Sequence, residues 1–289
     1  MRAIALLILL TPLWVAPALA DKLDFLPGIA PADHTRFVSE ATGRPYHIFV
    51  RLPLDYDETE QSYPTVYALD GDLLFPILGA NHYLLSFDEE TVPEAIVVGI
   101  AYGTFDPENG NYRTVDYSTP PLPPEFRQGV DDGGADGGAA KFQKFISDEL
   151  IPMIEGKYRA DPARRILIGQ SRGAHFVLYS AYTQPDLFWG RIASNPSLKP
   201  GEYLFFGDLS EIPSSDSHLF FSSGERDIER LRKEALALFD HLSKQERTPW
   251  RLRTKTMENE THATGVTNVY RDAMKWFFTD EGRDDEARD

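Results

Sequence analysis

An apolar segment, a serine flanked by glycines and a helix-forming segment follow one another between residues 165 and 182. Residues 166–168 are typical of a buried strand, and residues 174–182 are typical of a helix. Residues 169–173 between them have the Gly-x-Ser-x-Gly pattern of a nucleophile elbow, with Ser171 at its centre. Small residues are expected two positions before and after Ser171, because side chains there would collide with neighbouring backbone. This context favours a catalytic serine over an ordinary strand-to-helix turn.

Predicted strands alternate with predicted helices along the rest of the chain. We expect a β-hairpin over residues 35–53 and strands at 64–69, 95–101, 166–168, 192–195, 219–222 and 250–257. We expect helices at 73–85, 141–158, 174–182, 228–245 and 266–279. This order predicts an α/β fold with a mostly parallel central sheet and helices on both faces.

The first twenty residues have the pattern of a secretory signal peptide. Arg2 precedes an apolar run, and the segment ends in Ala-Leu-Ala at Ala20. A membrane anchor is the alternative, but the apolar run is short and Pro12 and Pro17 interrupt it. We therefore expect cleavage after Ala20, no membrane anchor after cleavage, and a periplasmic or secreted protein.

The remaining chain is predicted to form one domain over residues 21–279, with residues 21–32 as an irregular arm and 280–289 as a disordered acidic tail. Residues 102–138 contain no clear helix or strand pattern and are rich in proline, glycine and aspartate. A segment of this length inside a compact domain is usually functional or disordered. We expect its first half to lie ordered over the active site and its second half to be mobile.

The formal net charge of −16 makes nucleic acid and anionic membrane surfaces poor partners. The chain contains no cysteine, which excludes disulfides and thiolate metal sites. We expect no metal and no organic cofactor.

A serine nucleophile needs a histidine base, and the base needs an orienting acid. In the Ser–acid–His chain order, His262 is the histidine expected in a loop between the last strand and the last helix. His175 lies one helical turn after Ser171, and we expect it to be a packed helix residue. Asp227 is our first candidate for the acid and Glu225 our second, although either carboxylate could instead cap the helix that follows.

An oxyanion hole is built from backbone N–H groups. One is expected from Arg172, directly after the nucleophile, and the other from Gly71 or Asp72 in the loop after the strand at 64–69. The alternative interpretation of Asp70-Gly71 is an ordinary turn.

Several longer motifs resemble the esterase-D-type esterases of the α/β-hydrolase superfamily, which include siderophore trilactone esterases, feruloyl esterases and S-formylglutathione hydrolases. The motifs are residues 67–72 (YALDGD), Arg113 with Asp116-Tyr117, 145–152 (FISDELIP), 158–159 (YR), 164–171 (RRILIGQS), Pro185 with Phe188, 195–198 (NPSL) and 224–227 (GERD). The resemblance extends from about Phe37 to Phe278. It implies ester hydrolysis with Ser171 as nucleophile, His262 as base and Asp227 as acid.

The elbow departs from the family's usual Gly-His-Ser-Leu-Gly-Gly, since Arg172 stands where leucine is usual. Its side chain could reach an anionic substrate or pair with an acidic neighbour, and we favour the acidic neighbour in so acidic a protein. Arg113, Arg172 and Tyr117 are the candidates for substrate binding.

The sequence therefore predicts an exported serine esterase acting on a small-molecule or glycan-linked ester. An acyltransferase using an alcohol acceptor and a non-catalytic binding protein with the hydrolase fold are the alternatives.

Overall fold

The computed structural model describes residues 26, 28–29, 31–88, 91–121 and 137–279. Within these residues, eight strands form one sheet in the order β1-β2-β4-β3-β5-β6-β7-β8. The strands are β1 (Ala32–Val38), β2 (Pro45–Arg51), β3 (Tyr63–Ala68), β4 (Ile96–Ala101), β5 (Ala160–Gln170), β6 (Gly190–Ser194), β7 (His218–Arg226) and β8 (Arg251–Thr261). β1 and β2 are antiparallel to their neighbours, and the remaining pairs are parallel. The predicted α/β fold with a mostly parallel sheet is confirmed.

Helices cover both faces of the sheet because the central strands are apolar on both sides. The helices are α1 (Gly71–Asp88), α2 (Arg113–Asp116), α3 (Ala139–Phe145), α4 (Ile151–Lys157), α5 (Arg172–Thr183), α6 (Glu202–Phe205), α7 (Glu229–Ser243) and α8 (Val266–Phe278). Successive side chains of β5 point to opposite faces of the sheet: Leu167 packs into the core shared by α3, α5 and α7. Ile166 and Ile168 pack into the core shared by α1 and α8.

The N-terminal hairpin is confirmed as β1 and β2, with Gly43 in the left-handed region (φ 70°) at its turn. β1 begins at Ala32, where the sequence had predicted the end of an irregular arm. Glu149 ties this turn to the helical layer, since its carboxylate accepts hydrogen bonds from the backbone N–H groups of Glu40 and Ala41 (3.0 and 2.9 Å).

The single helix predicted over residues 141–158 is wrong in one respect. A π-helical segment (Ile146–Leu150) separates α3 from α4. Pro152 lies in the first turn of α4, where it has no N–H to donate and its ring would collide with the carbonyl four residues earlier. The wider π geometry lets the chain pass this point without a break.

β7 and β8 extend further than predicted because they continue to pair after their apolar residues end. Their register reaches Arg226 opposite Thr261, with an irregularity after Gly224. The prediction of a loop over residues 258–265 is therefore partly wrong. His262 stands directly after the last residue of β8 instead of in the middle of a loop.

Residues 102–121 contain a 3₁₀ turn (Pro107–Asn109) and α2, neither of which was predicted, and α6 was not predicted either. Residues 122–136 of the predicted mobile half lie outside the described residues, as do the predicted signal peptide (1–20) and tail (280–289). Among the described helices, none combines the length and apolar character needed to cross a membrane.

Candidate active site

Ser171 occupies a strained turn between β5 and α5. Its backbone has φ 58° and ψ −114°, a conformation that L-residues rarely adopt. Neighbours hold it on both sides: the Ser171 N–H donates to Ser194 O (2.9 Å), and Ser171 O accepts from the His175 N–H (3.1 Å). A Cβ built on Gly169 would lie 2.3 Å from the Gly173 carbonyl carbon, so only glycine fits there. These are the features of a nucleophile elbow.

The structure brings three of the predicted residues into one hydrogen-bonded chain. His262 Nε2 lies 2.9 Å from Ser171 Oγ, and His262 Nδ1 lies 2.7 Å from Asp227 Oδ1. Each residue follows the carboxyl end of a different parallel strand, β5, β7 and β8, so the sheet places all three at one edge. In this arrangement the Nδ1–H of His262 donates to the Asp227 carboxylate, and Nε2 is free to accept the proton of the Ser171 hydroxyl.

Burial and a backbone hydrogen bond hold the Asp227 carboxylate in contact with His262. Its side chain is 1% exposed, and Oδ1 also accepts the Ile228 N–H at 2.6 Å. Among the described residues, Oδ2 is buried without a hydrogen-bond partner. The second candidate, Glu225, is directed elsewhere, because its Oε2 accepts the Asn259 N–H at 2.8 Å. The structure thus places Asp227, and not Glu225, against the histidine.

Two side chains that the sequence analysis did not assign hold the backbone of His262. Asn195 Nδ2 donates to the carbonyls of His262 (2.9 Å) and Thr261 (3.2 Å), while its Oδ1 accepts the Gly224 N–H (2.6 Å). Gln170 Nε2 also donates to the His262 carbonyl. Asn195 adopts φ 48°, a left-handed conformation that asparagine tolerates better than most residues. An asparagine directly after a central strand was the available sequence signal.

The two predicted sources of oxyanion N–H groups lie at adjacent helix N-termini. Gly71 and Asp72 begin α1, and Arg172 begins α5. A Cβ built on Gly173 would lie 3.4 Å from Asp70 Oδ2, so the loop after β3 contacts the first turn of α5. First-turn N–H groups have no partner within their own helix. Stabilisation of an oxyanion by these groups stays a prediction.

All three predicted substrate-binding residues have structural partners, and two of them, Arg113 and Tyr117, contact Asp70. The Arg113 guanidinium forms a bidentate ion pair with Asp70, with Nε and Nη2 each 2.8 Å from a carboxylate oxygen. Tyr117 is 0% exposed, and its hydroxyl accepts the Asp70 N–H (3.1 Å). The Tyr117 side chain is therefore packed in the core and positions the loop after β3, and its role in substrate binding stays a prediction.

The Arg172 side chain contacts the ordered part of the 102–138 segment. Its Nη1 donates to Ser118 Oγ at 3.1 Å. Burial, followed by the positive charges of Arg113 and Arg230, lowers the pKa of its guanidinium. The favoured expectation, an acidic neighbour, is not met within the described part of the chain, where the polar contact of Arg172 is with a hydroxyl.

His175 is fully buried, as expected for a packed helix residue. Its Nδ1 lies 2.7 Å from the Ser197 carbonyl, and its Nε2 accepts the Thr119 N–H at 3.2 Å. These partners require a neutral ring protonated on Nδ1. Burial lowers the pKa of His175 to about 4, which keeps the ring neutral. Through its two hydrogen bonds the ring joins the loops after α2 and β6 to α5.

Within residues 31–88, 91–121 and 137–279, no group of three or more histidine or acidic side chains is arranged to hold a metal ion.

A family model described as "Putative esterase" matches residues 39–278. The chain is 33% identical over 177 residues to the ferri-bacillibactin esterase BesA of Bacillus subtilis, covering 58% of this chain and 59% of BesA. It is 33% identical over 166 residues to the siderophore enterobactin esterase of Emericella nidulans, covering 53% and 54% of the two chains. The chain therefore spans little more than half the length of these curated relatives.

The crystal structure of the BES protein from Bacillus cereus superposes with a TM-score of 0.73 at 22% identity, covering 90% of this chain and 99% of that one. This likeness extends across nearly all of the fold described above. Together with the match of the family model to most of the sequence, it leads to one conclusion: the chain belongs to the esterase family defined by that model and has the α/β-hydrolase fold of its structural relatives.

Proposed function

We propose that this protein is an exported serine esterase that hydrolyses a carboxylic ester through an acyl-enzyme on Ser171. The observation that carries the proposal is the chain of hydrogen bonds from Ser171 Oγ through His262 to Asp227, at 2.9 and 2.7 Å, on a strained elbow. The short apolar run after Arg2 and the Ala-Leu-Ala sequence that ends at Ala20 support export.

In the proposed mechanism, Ser171 Oγ attacks the ester carbonyl carbon while His262 Nε2 takes the hydroxyl proton. The carbonyl oxygen becomes an oxyanion, stabilised by the N–H of Arg172 and by that of Gly71 or Asp72. His262 then gives its proton to the leaving alcohol oxygen, and the ester C–O bond breaks. Water attacks the acyl-enzyme by the same route, releasing the acid and restoring Ser171. Asp227 stabilises the imidazolium in both halves.

For the substrate we propose a small-molecule ester of the siderophore class. The curated relatives above carry the names of siderophore esterases and support this class over feruloyl sugars and acetylated glycans.

Ester turnover by matched variants tests the reaction. Wild type is expected to hydrolyse p-nitrophenyl butyrate, and Ser171→Ala is expected to lose at least about 10⁴-fold in kcat. Ser243→Ala, an exposed serine at the end of α7, is the matched control and should retain wild-type turnover. Equal turnover by Ser171→Ala and wild type would contradict the proposed nucleophile.

A substrate panel tests the class separately. Enterobactin, methyl ferulate and acetylated xylan are offered to wild type and to Ser171→Ala, and the released acid is quantified. We expect the highest Ser171-dependent kcat/KM for enterobactin. A clear preference for ferulate or acetylated xylan would overturn the substrate class while leaving the serine esterase mechanism standing.

A further inference from the structure

Arg172 presents unused hydrogen-bonding capacity beside the nucleophile. A guanidinium carries five N–H donors, and the contact with Ser118 Oγ uses one of them, on Nη1. Ser118 Oγ itself donates to the Thr114 carbonyl (2.6 Å), so the hydroxyl is oriented to accept from the arginine. Nε and Nη2 make no hydrogen bond to the described residues. They form one edge of the guanidinium, the edge that suits two oxygens of a carboxylate.

The charges around Arg172 are positive. Arg113 and Arg230 both act on it electrostatically, and burial adds to their effect in lowering its pKa. These two arginines have their own carboxylates: Arg113 pairs with Asp70, and Arg230 pairs with Glu234. Among the described residues, Arg172 is thus a half-buried cation with no carboxylate of its own.

This arrangement contrasts with the rest of the molecule, whose formal net charge is −16. With 45 acidic side chains in the sequence, an internal partner for one arginine would be easy to provide. A partly desolvated cation without a counter-charge costs free energy in the empty protein. That cost is offset when an anionic ligand binds, so the unpaired edge is better suited to a ligand than to the fold.

We propose that Arg172 is a specificity-determining residue that binds an anionic group of the substrate, a carboxylate or a group of equivalent charge and shape, so that this enzyme prefers negatively charged esters. The inference rests on the proposed function, because it needs a substrate attached at the adjacent Ser171. Ser118 is the positioning residue: its hydroxyl holds Nη1 and leaves the other edge of the guanidinium directed to the substrate.

Two pairs of synthetic esters test this inference, each pair differing in one charge. The first pair is the p-nitrophenyl monoester of adipic acid against p-nitrophenyl hexanoate, with the charge on the acyl side. The second pair is 4-acetoxybenzoate against 4-acetoxybenzamide, with the charge on the alcohol side. The measured quantity is the ratio of kcat/KM for the anionic ester to kcat/KM for its neutral partner.

We expect Arg172→Leu to lower this ratio by about 10- to 100-fold in at least one pair, mainly through KM, because a charge-assisted contact is lost. Arg172→Lys should recover a large part of the ratio. Arg36→Leu, which removes an exposed arginine on edge strand β1, four strands away from β5, is the matched control and should leave the ratio unchanged. If Arg172→Leu does not fold by circular dichroism, Arg172→Gln takes its place.

The outcomes separate this inference from the proposed function. If both esters of each pair are hydrolysed in a Ser171-dependent manner and the ratios are unchanged in the Arg172 variants, the anion-binding inference is overturned and the esterase stands. If no ester is hydrolysed in a Ser171-dependent manner, the proposed function fails, and the inference fails with it.

Discussion

The nucleophile Ser171 (φ 58°) and two residues after neighbouring strands, Asp70 (51°) and Asn195 (48°), are non-glycine residues with positive φ. They follow β3, β5 and β6, which are consecutive in the sheet. Each such residue costs on the order of 1–3 kcal/mol and persists only when its surroundings hold it. Asp70 is held by its ion pair with Arg113, Ser171 by the close approach of Gly169 to Gly173, and Asn195 by the hydrogen bonds of its own side-chain amide. Strain is thus concentrated where side chains must be placed accurately.

At the residue scale, substitutions can test whether Asp227 or Glu225 is the acid that orients His262. Asp227→Asn should lower kcat by roughly 10³- to 10⁴-fold, because an amide no longer favours the Nδ1–H form of His262 or stabilises its charged state. Glu225→Gln is the matched control, since Glu225 contacts Asn259 instead, and kcat should stay near the wild-type value. The measurement is kcat on p-nitrophenyl butyrate with both variants folded. A larger loss from Glu225→Gln than from Asp227→Asn would refute the assignment.

The sequence was sufficient to propose Ser171 and His262, because the elbow pattern and the chain order each leave one best candidate. It could not separate Asp227 from Glu225, since both follow the predicted strand at 219–222 and lie two residues apart, which places their side chains on the same side of an extended chain. The difference comes from the paired end of β8, which presents the Asn259 N–H to Glu225. The burial of Tyr117 was not predicted for a similar reason: it depends on packing against elements far away in the sequence.

At the scale of the elements, the two glycines of the elbow are not equivalent. A Cβ on Gly169 would meet the Gly173 carbonyl group at 2.3 and 2.4 Å, which is backbone and cannot move without displacing Ser171. A Cβ on Gly173 would meet its nearest neighbour, Asp70 Oδ2, at 3.4 Å. The expectation that side chains at both positions would collide with backbone therefore holds for Gly169 and is wrong for Gly173.

Alanine substitutions should separate the two positions. Gly169→Ala is expected to lower the free energy of unfolding by about 1–3 kcal/mol or more, as overpacking does. Gly173→Ala should change it by less than about 1 kcal/mol, because alanine favours the helix and the space is available. Urea unfolding followed by circular dichroism measures both. Equal destabilisation by the two variants would show that the contacts described for Gly169 do not control the turn.

Element types were predicted from periodicity, whereas element ends were not. The apolar residues of β7 stop near Phe221, yet the strand continues to Arg226 because β8 is there to pair with it. The π segment before Pro152 likewise arises from a conflict between a missing N–H and a continuous apolar face. Such features depend on partners or on backbone geometry, and local residue patterns do not encode them directly.

At the scale of the whole molecule, a buried neutral histidine joins distant elements on each face of the sheet. On one face His175 links α5 to the loops after α2 and β6. On the other, His82 in α1 contacts the Tyr270 hydroxyl of α8 (2.8 Å) and the Pro93 carbonyl (3.1 Å). Burial lowers the pKa of His175 to about 4 and that of His82 to about 3.

These shifts predict acid sensitivity with a definite sign. The unfolded chain takes up these protons near pH 6.5, whereas the folded protein resists them, so the stabilisation is present above pH 6.5 and is lost as the pH falls toward 4. For His175 the difference is on the order of 3 kcal/mol. His175→Gln removes this titration, so the difference in unfolding free energy between wild type and variant should shrink between pH 7 and pH 4. A constant difference across that range would contradict a neutral buried His175.

The central claim is that Ser171 is a nucleophile activated by His262 within the family fold. Intact-mass spectrometry after treatment with a fluorophosphonate, followed by peptide mapping, tests it most directly. We predict one adduct, located on Ser171, with slow labelling in His262→Gln and none in Ser171→Ala. A folded wild-type protein that remains unlabelled, or that is labelled at another residue, would contradict the claim.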